Sequence, residues 1–133
     1  MPRIEAFSTV LPVAEMDRSI SYYVEGLGFR ENFRIGEPAT YVMLCRGALS
    51  VQLMPGLRAP RAVGMAAIYA FVRELDALHA EFTARGVPIE MPLQDHPYGM
   101  REFSIRDPDG NRLTFGQEVG QDRVLMGWDR QQT

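Results

Sequence analysis

The stretch VAEMDRSISYYVEGLGF (residues 13–29) decides the fold, because VRELDALHAEFTARGV (residues 72–87) repeats its pattern further along the chain. Each begins with a valine, and an acid, an apolar residue and an aspartate follow it at the same spacing. Each carries an aromatic residue at the equivalent position, Tyr23 or Phe82, and ends near a glycine, Gly28 or Gly86. A repeat of about 60 residues indicates two copies of one supersecondary unit.

Each copy is predicted to contain a strand, a helix and three further strands. The helix after the first strand carries apolar residues on one stripe, which is typical of a helix packed on a sheet. The predicted strands are 4–13, 29–35, 40–46 and 49–54, then 65–72, 89–94, 101–106 and 112–118; the predicted helices are 16–27 and 75–85. Alternating apolar residues along the strands indicate that each sheet has one buried face.

The predicted fold class is therefore α+β: two βαβββ modules form a curved mixed sheet with a concave cleft, and the helices lie on its outer face. The expected organisation is a single domain over residues 1–120, with modules at about 1–57 and 62–120. A Pro/Gly/Arg linker is predicted at 55–64, and residues 121–133 form a C-terminal tail.

A turn signal lies between the last two predicted strands, in FSIRDPDGNRLTFG (residues 103–116). Pro108 presets its own φ and Gly110 tolerates a positive φ, which is typical of a hairpin turn. Asp107 and Asp109 are therefore predicted to be structural turn residues, solvated and without a pocket around them.

The composition limits the possible functions. The chain has 133 residues, of which 46% are hydrophobic and 23% charged, as in an ordinary globular domain. Its basic residues are all arginine, so no lysine can form a Schiff base. A net charge of −3 and the lack of a long apolar run argue against nucleic-acid and membrane partners. Cys45, the only cysteine, is expected to be a small packed hydrophobe, and a cytoplasmic location is predicted.

Two motifs carry a family resemblance. YYVEGLGF after the first helix and DPDGNRLTF near the end, with the paired modules, resemble the glyoxalase/bleomycin-resistance/dioxygenase superfamily, also called vicinal oxygen chelate, over about Ile4 to Glu118. The resemblance implies a divalent-metal site on four strand positions. Those positions hold Ser8, Gln52, Ala67 and Thr114, which are poor metal ligands. We therefore expect no metal and no cofactor.

One branch of that superfamily is closer. PYGMREFSIRDPDGN (residues 97–111) is similar to the P-W-G-R-E-F-x-L-R-D-P-x-G-N stretch of bleomycin-resistance proteins, with Met100 inserted and Tyr98 in place of tryptophan. This resemblance implies a homodimer that sequesters a planar cationic antibiotic without modifying it. Exchange of the first strand around Pro12 between subunits is left open. By the same resemblance Tyr98 is the stacking residue, and Phe33 matches an aromatic of the second strand.

Several residues have both structural and functional interpretations. His79 is predicted to pack against the core, whereas His96 is either a solvated turn residue or part of the site. Glu102 should face the cleft and could hold a cation or act as a base; the alternative is an ion pair with Arg112. No catalytic residue is predicted, and the expected ligand-binding residues are Phe33, Tyr41, Gln52, Met54, Tyr69, His96, Tyr98, Glu102 and Thr114.

The leading functional hypothesis is a metal-free protein that binds a small planar aromatic molecule. The alternative is an enzyme of the same superfamily, a glyoxalase-like lyase or isomerase or an extradiol-type dioxygenase, with atypical cleft residues. A third possibility is a subunit whose cleft is filled by its own side chains and that only supports assembly.

Overall fold

The computed structural model describes residues 2–56 and 62–119. The first module contains β1 (Thr9–Val13), α1 (Met16–Ser21), β2 (Arg30–Ile35), β3 (Tyr41–Arg46) and β4 (Leu49–Pro55). The second contains β5 (Ala67–Phe71), α2 (Leu75–Ala84), β6 (Met91–Asp95), β7 (Met100–Arg106) and β8 (Arg112–Glu118). The predicted α+β fold of two βαβββ modules is confirmed. Part of the predicted linker, 57–61, and the predicted tail lie outside the described residues.

The strands form two four-stranded mixed sheets with the same internal order, β1-β4-β3-β2 and β5-β8-β7-β6. In each sheet the first strand pairs in parallel with the last strand of its module, and the remaining pairs are antiparallel. The repeat in the sequence thus corresponds to a repeat in topology. The predicted curved sheet is divided into these two sheets rather than continuous.

Each sheet has one buried face and one open face, as the alternation in the sequence predicted. On β3, Val42 and Leu44 are fully buried, whereas Tyr41 and Met43 between them are only partly covered. The equivalent aromatic residues of the repeat, Tyr23 and Phe82, are both fully buried in the core. The helices therefore cover one face of each sheet, and the opposite faces are available for other contacts.

Several element boundaries differ from the prediction. β1 begins at Thr9 rather than at Ile4, and Thr9 is the first of its residues to pair with β4, opposite Val51. The apolar side chains of that segment are accordingly exposed, Ile4 at 89% and Phe7 at 82%. The first helix changes at Tyr22–Gly26 into a π-helical turn, a local widening that is frequent where packing demands compete.

The D-P-D-G-N turn connects the two modules, and here the prediction of solvated carboxylates is wrong. Asp107 is only 4% exposed and accepts a hydrogen bond of 2.7 Å from the hydroxyl of Tyr23. Asp109, whose side chain is 1% exposed, accepts from the backbone N–H of Ala14 at 2.9 Å and from Ser19 Oγ at 3.1 Å. The turn lies against the start of α1, where Asp109 binds Ala14 and Ser19 while the Glu15 carboxylate caps the first N–H groups of the helix.

None of the helices within the described residues has the length and apolar character needed to cross a membrane.

Candidate ligand-binding groove

The open face of the second sheet contains a groove of about 230 Å³. Three strands, β6, β7 and β8, form its floor, and the β6–β7 loop forms one end. Four of the predicted ligand-binding residues line it: His96, Tyr98, Glu102 and Thr114. They come from the β6–β7 loop, β7 and β8. The lining residues are Met91, Pro92, Gln94, His96, Tyr98, Glu102, Phe103, Ser104, Arg112 and Thr114.

Glu102 is the acid at the loop end of the groove. Its carboxylate accepts hydrogen bonds from the hydroxyls of Tyr69 and Tyr98, each at 2.6 Å, and only 14% of its side chain is exposed. His96 Nε2 lies 3.6 Å from the carboxylate oxygen Oε1 of Glu102. Hydrogen bonds to an ionised acceptor are among the stronger ones in proteins. The carboxylate is thus held in place by neutral donors, and an ion pair with Arg112 is not its role, because Arg112 binds Glu90 instead.

Tyr69 reaches Glu102 only because a glycine lies beneath it. Strand β8 runs between β5 and β7, and Gly116 on β8 is the register partner of both Phe71 and Glu102. A Cβ atom at position 116 would stand 2.7 Å from the ring carbon Cζ of Tyr69 and would also collide with its hydroxyl. Sequence analysis did not identify Gly116 as a site residue; the signal was an isolated glycine inside a strand, which often marks a close approach.

His96 and Tyr98 form a stacked pair at the same end. Their ring centroids are 5.1 Å apart with an angle of 12° between the planes, and Tyr98 remains 61% exposed. The loop is closed by the bonds His96 N–H to Met100 O and Gly99 N–H to His96 O. His96 is therefore not a solvated turn residue, and the outer face of Tyr98 can receive a further ring.

The two phenols at Glu102 act as hydrogen-bond donors. Burial, together with the hydrogen bond to Glu102, raises the pKa of Tyr69 well above its usual value. For Tyr98 the hydrogen bond to Glu102 is the main reason why the pKa is raised. Both hydroxyls hence stay protonated at neutral pH, and neither phenol is suited to act as a base or nucleophile.

The opposite end of the groove is basic. Arg106 and Arg112 lie directly opposite each other on β7 and β8, an arrangement that is unfavourable for like charges. Glu90 lies between them: it pairs with Arg106 and accepts a hydrogen bond from Arg112 Nε at 2.9 Å. The bond from Arg106, with those from Arg112 and Ser104, lowers the pKa of Glu90 to about 2.

Of the other five predicted residues, Tyr69 lies on β5 of the second sheet, and the remaining four lie on the first sheet: Phe33, Tyr41, Gln52 and Met54. The rings of Phe33 and Tyr41 are 5.4 Å apart, and the Tyr41 hydroxyl donates to Gln52 Oε1 at 2.9 Å. Met54 lies two residues beyond Gln52 on β4 and is the register partner of Pro12. The predicted set is therefore divided between two sheets, with Phe33 being 49% exposed.

The four strand positions at which the superfamily implies a metal do not suit one. Ser8 Oγ is hydrogen-bonded to Ser50 Oγ at 3.0 Å, and the amide oxygen of Gln52 is taken by Tyr41. Ala67 has no donor atom, and Thr114 offers only a hydroxyl. Within residues 2–56 and 62–119, no three His, Cys, Asp or Glu side chains are grouped closely enough to hold a metal ion.

His79 and Cys45, both expected to pack as structural residues, lie in different environments. His79 packs edge-on against the ring of Phe103 at 5.0 Å, as predicted. Cys45 is not a plain core residue: it is half-buried and its thiol donates to Asn32 Oδ1 at 3.3 Å, because it lies on the open face of β3.

Residues 6–115 match the family model described as "Glyoxalase/Bleomycin resistance protein/Dioxygenase superfamily". The chain belongs to this superfamily. No curated protein sequence matches the chain.

Three solved structures of similar fold each share less than a quarter of their sequence with this chain. TnmS3, described as an antibiotic binding protein from Streptomyces sp. CB03234, is 22% identical with a TM-score of 0.72, over 90% of this chain and 98% of that one. TioX from Micromonospora sp. ML1 is 24% identical, with a TM-score of 0.69 over 88% and 98%. Lactoylglutathione lyase from Agrobacterium tumefaciens is 21% identical, with a TM-score of 0.71 over 87% and 96%.

Proposed function

We propose that this protein binds a small, planar, cationic aromatic molecule in the groove without modifying it. The observation that carries the proposal is the arrangement of Glu102, Tyr98 and His96. A stacked aromatic pair offers an exposed ring face next to a carboxylate that is oriented by two phenol donors. A flat ring stacks on Tyr98, and a basic nitrogen on that ring donates to a free lone pair of Glu102.

The chemistry of the groove supports binding rather than turnover. The donor set at the usual metal positions is poor, and both phenol hydroxyls next to the carboxylate of Glu102 donate to it, so the carboxylate is held as a fixed acceptor. The description of TnmS3 as an antibiotic binding protein agrees with such a role. By analogy, the ligand of this chain is an antibiotic-like aromatic compound, and the function is its sequestration.

An enzyme is the second candidate, and one contact favours it. His96 Nε2 stands 3.6 Å from Glu102, so the pair could exchange a proton with a bound substrate. The fold of lactoylglutathione lyase is also similar. Incubation with a glutathione hemithioacetal or a catechol separates the two candidates: turnover above the uncatalysed rate would favour the enzyme.

We also infer that the protein is a homodimer. Its open sheet faces carry large exposed apolar side chains: Phe33 at 49% and Ile35 at 56% on the first sheet, and Met91 at 48% on the second. A two-fold axis that pairs the first sheet of one subunit with the second sheet of the other covers both faces. It would also place the cluster of Phe33 and Tyr41 over the groove. Exchange of the first strand around Pro12 and a cytoplasmic location stay predictions.

The test of the proposed function is a calorimetric titration with three flat compounds: 9-aminoacridine, neutral anthracene-2-methanol and anionic anthracene-2-sulfonate. The cation should bind most tightly, because Glu102 supplies the counter-charge. Mass spectrometry of the released compound should show an unchanged mass. A preference for the anion, or binding to none of the three, would refute the proposal.

A further inference from the structure

The groove has charges of opposite sign at its two ends. At the loop end, Glu102 is surrounded by the hydroxyls of Tyr69 and Tyr98, which are neutral, and by His96. At the other end, Arg112 is the charged residue that lines the groove. A ligand that spans the groove therefore meets an anionic and a cationic region in turn.

Among residues 2–56 and 62–119, the charges at the basic end are not balanced. Arg106 and Arg112 carry two positive charges, and Glu90 is the carboxylate that both contact. Ser104 Oγ, which also donates to Glu90 at 3.1 Å, is neutral. One positive charge thus remains in excess, on guanidinium groups that are 44–48% exposed. An anionic or strong acceptor group on a ligand can supply the missing partner, because guanidinium suits planar oxygen pairs.

The distance between the two ends sets the length of the ligand. Glu102 is the register partner of Gly116, and Arg112 lies four residues from Gly116 along β8. At about 3.4 Å per residue in an antiparallel strand, the backbone positions of the two ends are roughly 14 Å apart. The groove floor between them consists of Ser104 and Thr114, whose small side chains leave room for a flat body.

We propose that the groove selects a dipolar ligand, with a basic nitrogen at Glu102, a flat aromatic body over Ser104 and Thr114, and an anionic group at Arg112. This inference rests on the proposed function and specifies the chemical class of its ligand. A cation alone satisfies one end of the groove, whereas a molecule with both charges satisfies both.

The probes are four azobenzenes with the same flat body: the parent compound, one with a 4-aminomethyl group, one with a 4′-sulfonate, and one with both. The doubly substituted compound should bind about three- to five-fold more tightly than the aminomethyl compound, the scale of an exposed charge pair. Arg112→Gln should abolish that gain, which is measured within each variant as the ratio of the affinities of the doubly substituted and the aminomethyl compound. Arg112→Lys should retain part of the gain, and melting curves check that both variants are folded.

Arg34→Gln is the matched control, because this arginine pairs with Glu31 on the first sheet and lies away from the groove. It should leave the gain unchanged. If the sulfonate adds no affinity, or if the gain survives in Arg112→Gln, the dipolar ligand is refuted while the proposed function stands. If the aminomethyl compound itself fails to bind better than the parent, the proposed function fails and the inference fails with it.

Discussion

Replacing Gly116 with alanine should uncouple Tyr69 from Glu102 without touching either residue. The added Cβ would lie 2.7 Å from Tyr69 Cζ, closer than a carbon–carbon contact permits, so the ring must move. Tyr69 is 41% exposed and can swing outward, which relieves the overlap but breaks its 2.6 Å hydrogen bond to Glu102. The unfolding free energy lost in Gly116→Ala is accordingly that of the broken hydrogen bond, not that of an overpacked core.

A hydrogen bond to a charged group contributes about 1.5–3 kcal/mol when it is buried, and partial exposure of this one reduces the expected value to about 1–2 kcal/mol. For a domain of this size such a loss lowers the melting temperature by about 3–8 °C. Urea unfolding of Gly116→Ala measures the free energy directly. The same substitution in a Tyr69→Ala background should be nearly neutral, because the ring with which Cβ collides is gone.

The change in unfolding free energy caused by Gly116→Ala is compared between the wild-type and Tyr69→Ala backgrounds. An equal loss of stability in both would show that the effect of the glycine does not depend on the Tyr69 ring. A neutral effect in the wild-type background would show that Tyr69 does not pass over position 116 in solution.

Four further predictions follow from the same geometry. Tyr98→Ala should weaken binding of 9-aminoacridine by roughly 5- to 100-fold, the scale of a lost aromatic stack, and should lower the free energy of unfolding by only about 1 kcal/mol, because the residue that donates the lost hydrogen bond to Glu102 is 61% exposed; Phe103→Ala should instead lower the free energy of unfolding by about 3–5 kcal/mol, because it leaves a core cavity. In urea titrations against pH, the stability that Glu90 adds relative to Glu90→Gln should be fully present above about pH 4.5 and should disappear as pH falls through its lowered pKa of about 2. Asp109→Ala should cost about 1–3 kcal/mol in unfolding free energy, since the buried hydroxyl of Ser19 and the N–H of Ala14 lose their acceptor, and Asp109→Asn should cost less. Micromolar Zn²⁺ or Ni²⁺ should leave the melting temperature unchanged; a rise of several degrees would contradict the poor donor set.

The fold was predictable because its signals are local and repeated. The matched V-x-E-x-D starts, the buried aromatics Tyr23 and Phe82, and the period-two strands each specify an element from neighbouring residues. The start of β1 was not predictable in this way, because it depends on pairing with β4, a strand much later in the chain. The burial of Asp109 also depends on a long-range contact, made with α1 some ninety residues earlier.

The sequence predicted several residues of the candidate site, but not which of them contact one another. The motif around Tyr98 identified the loop end of the groove, and the alternation along β7 placed Glu102 on the open face. The roles of Gly116 and Glu90 depend on which strands become neighbours in the sheet, and a single sequence does not contain that information. The division of the predicted residues between two sheets has the same cause.

A crystal structure of the protein with the flat cation that binds most tightly would test most directly whether the groove binds such a ligand at Tyr98 and Glu102. We expect one unmodified ligand per groove, with its ring parallel to Tyr98 and its basic nitrogen within hydrogen-bond distance of Glu102. A ligand bound away from the groove, a chemically altered ligand, or a metal ion held by Ser8, Gln52 or Thr114 would contradict it.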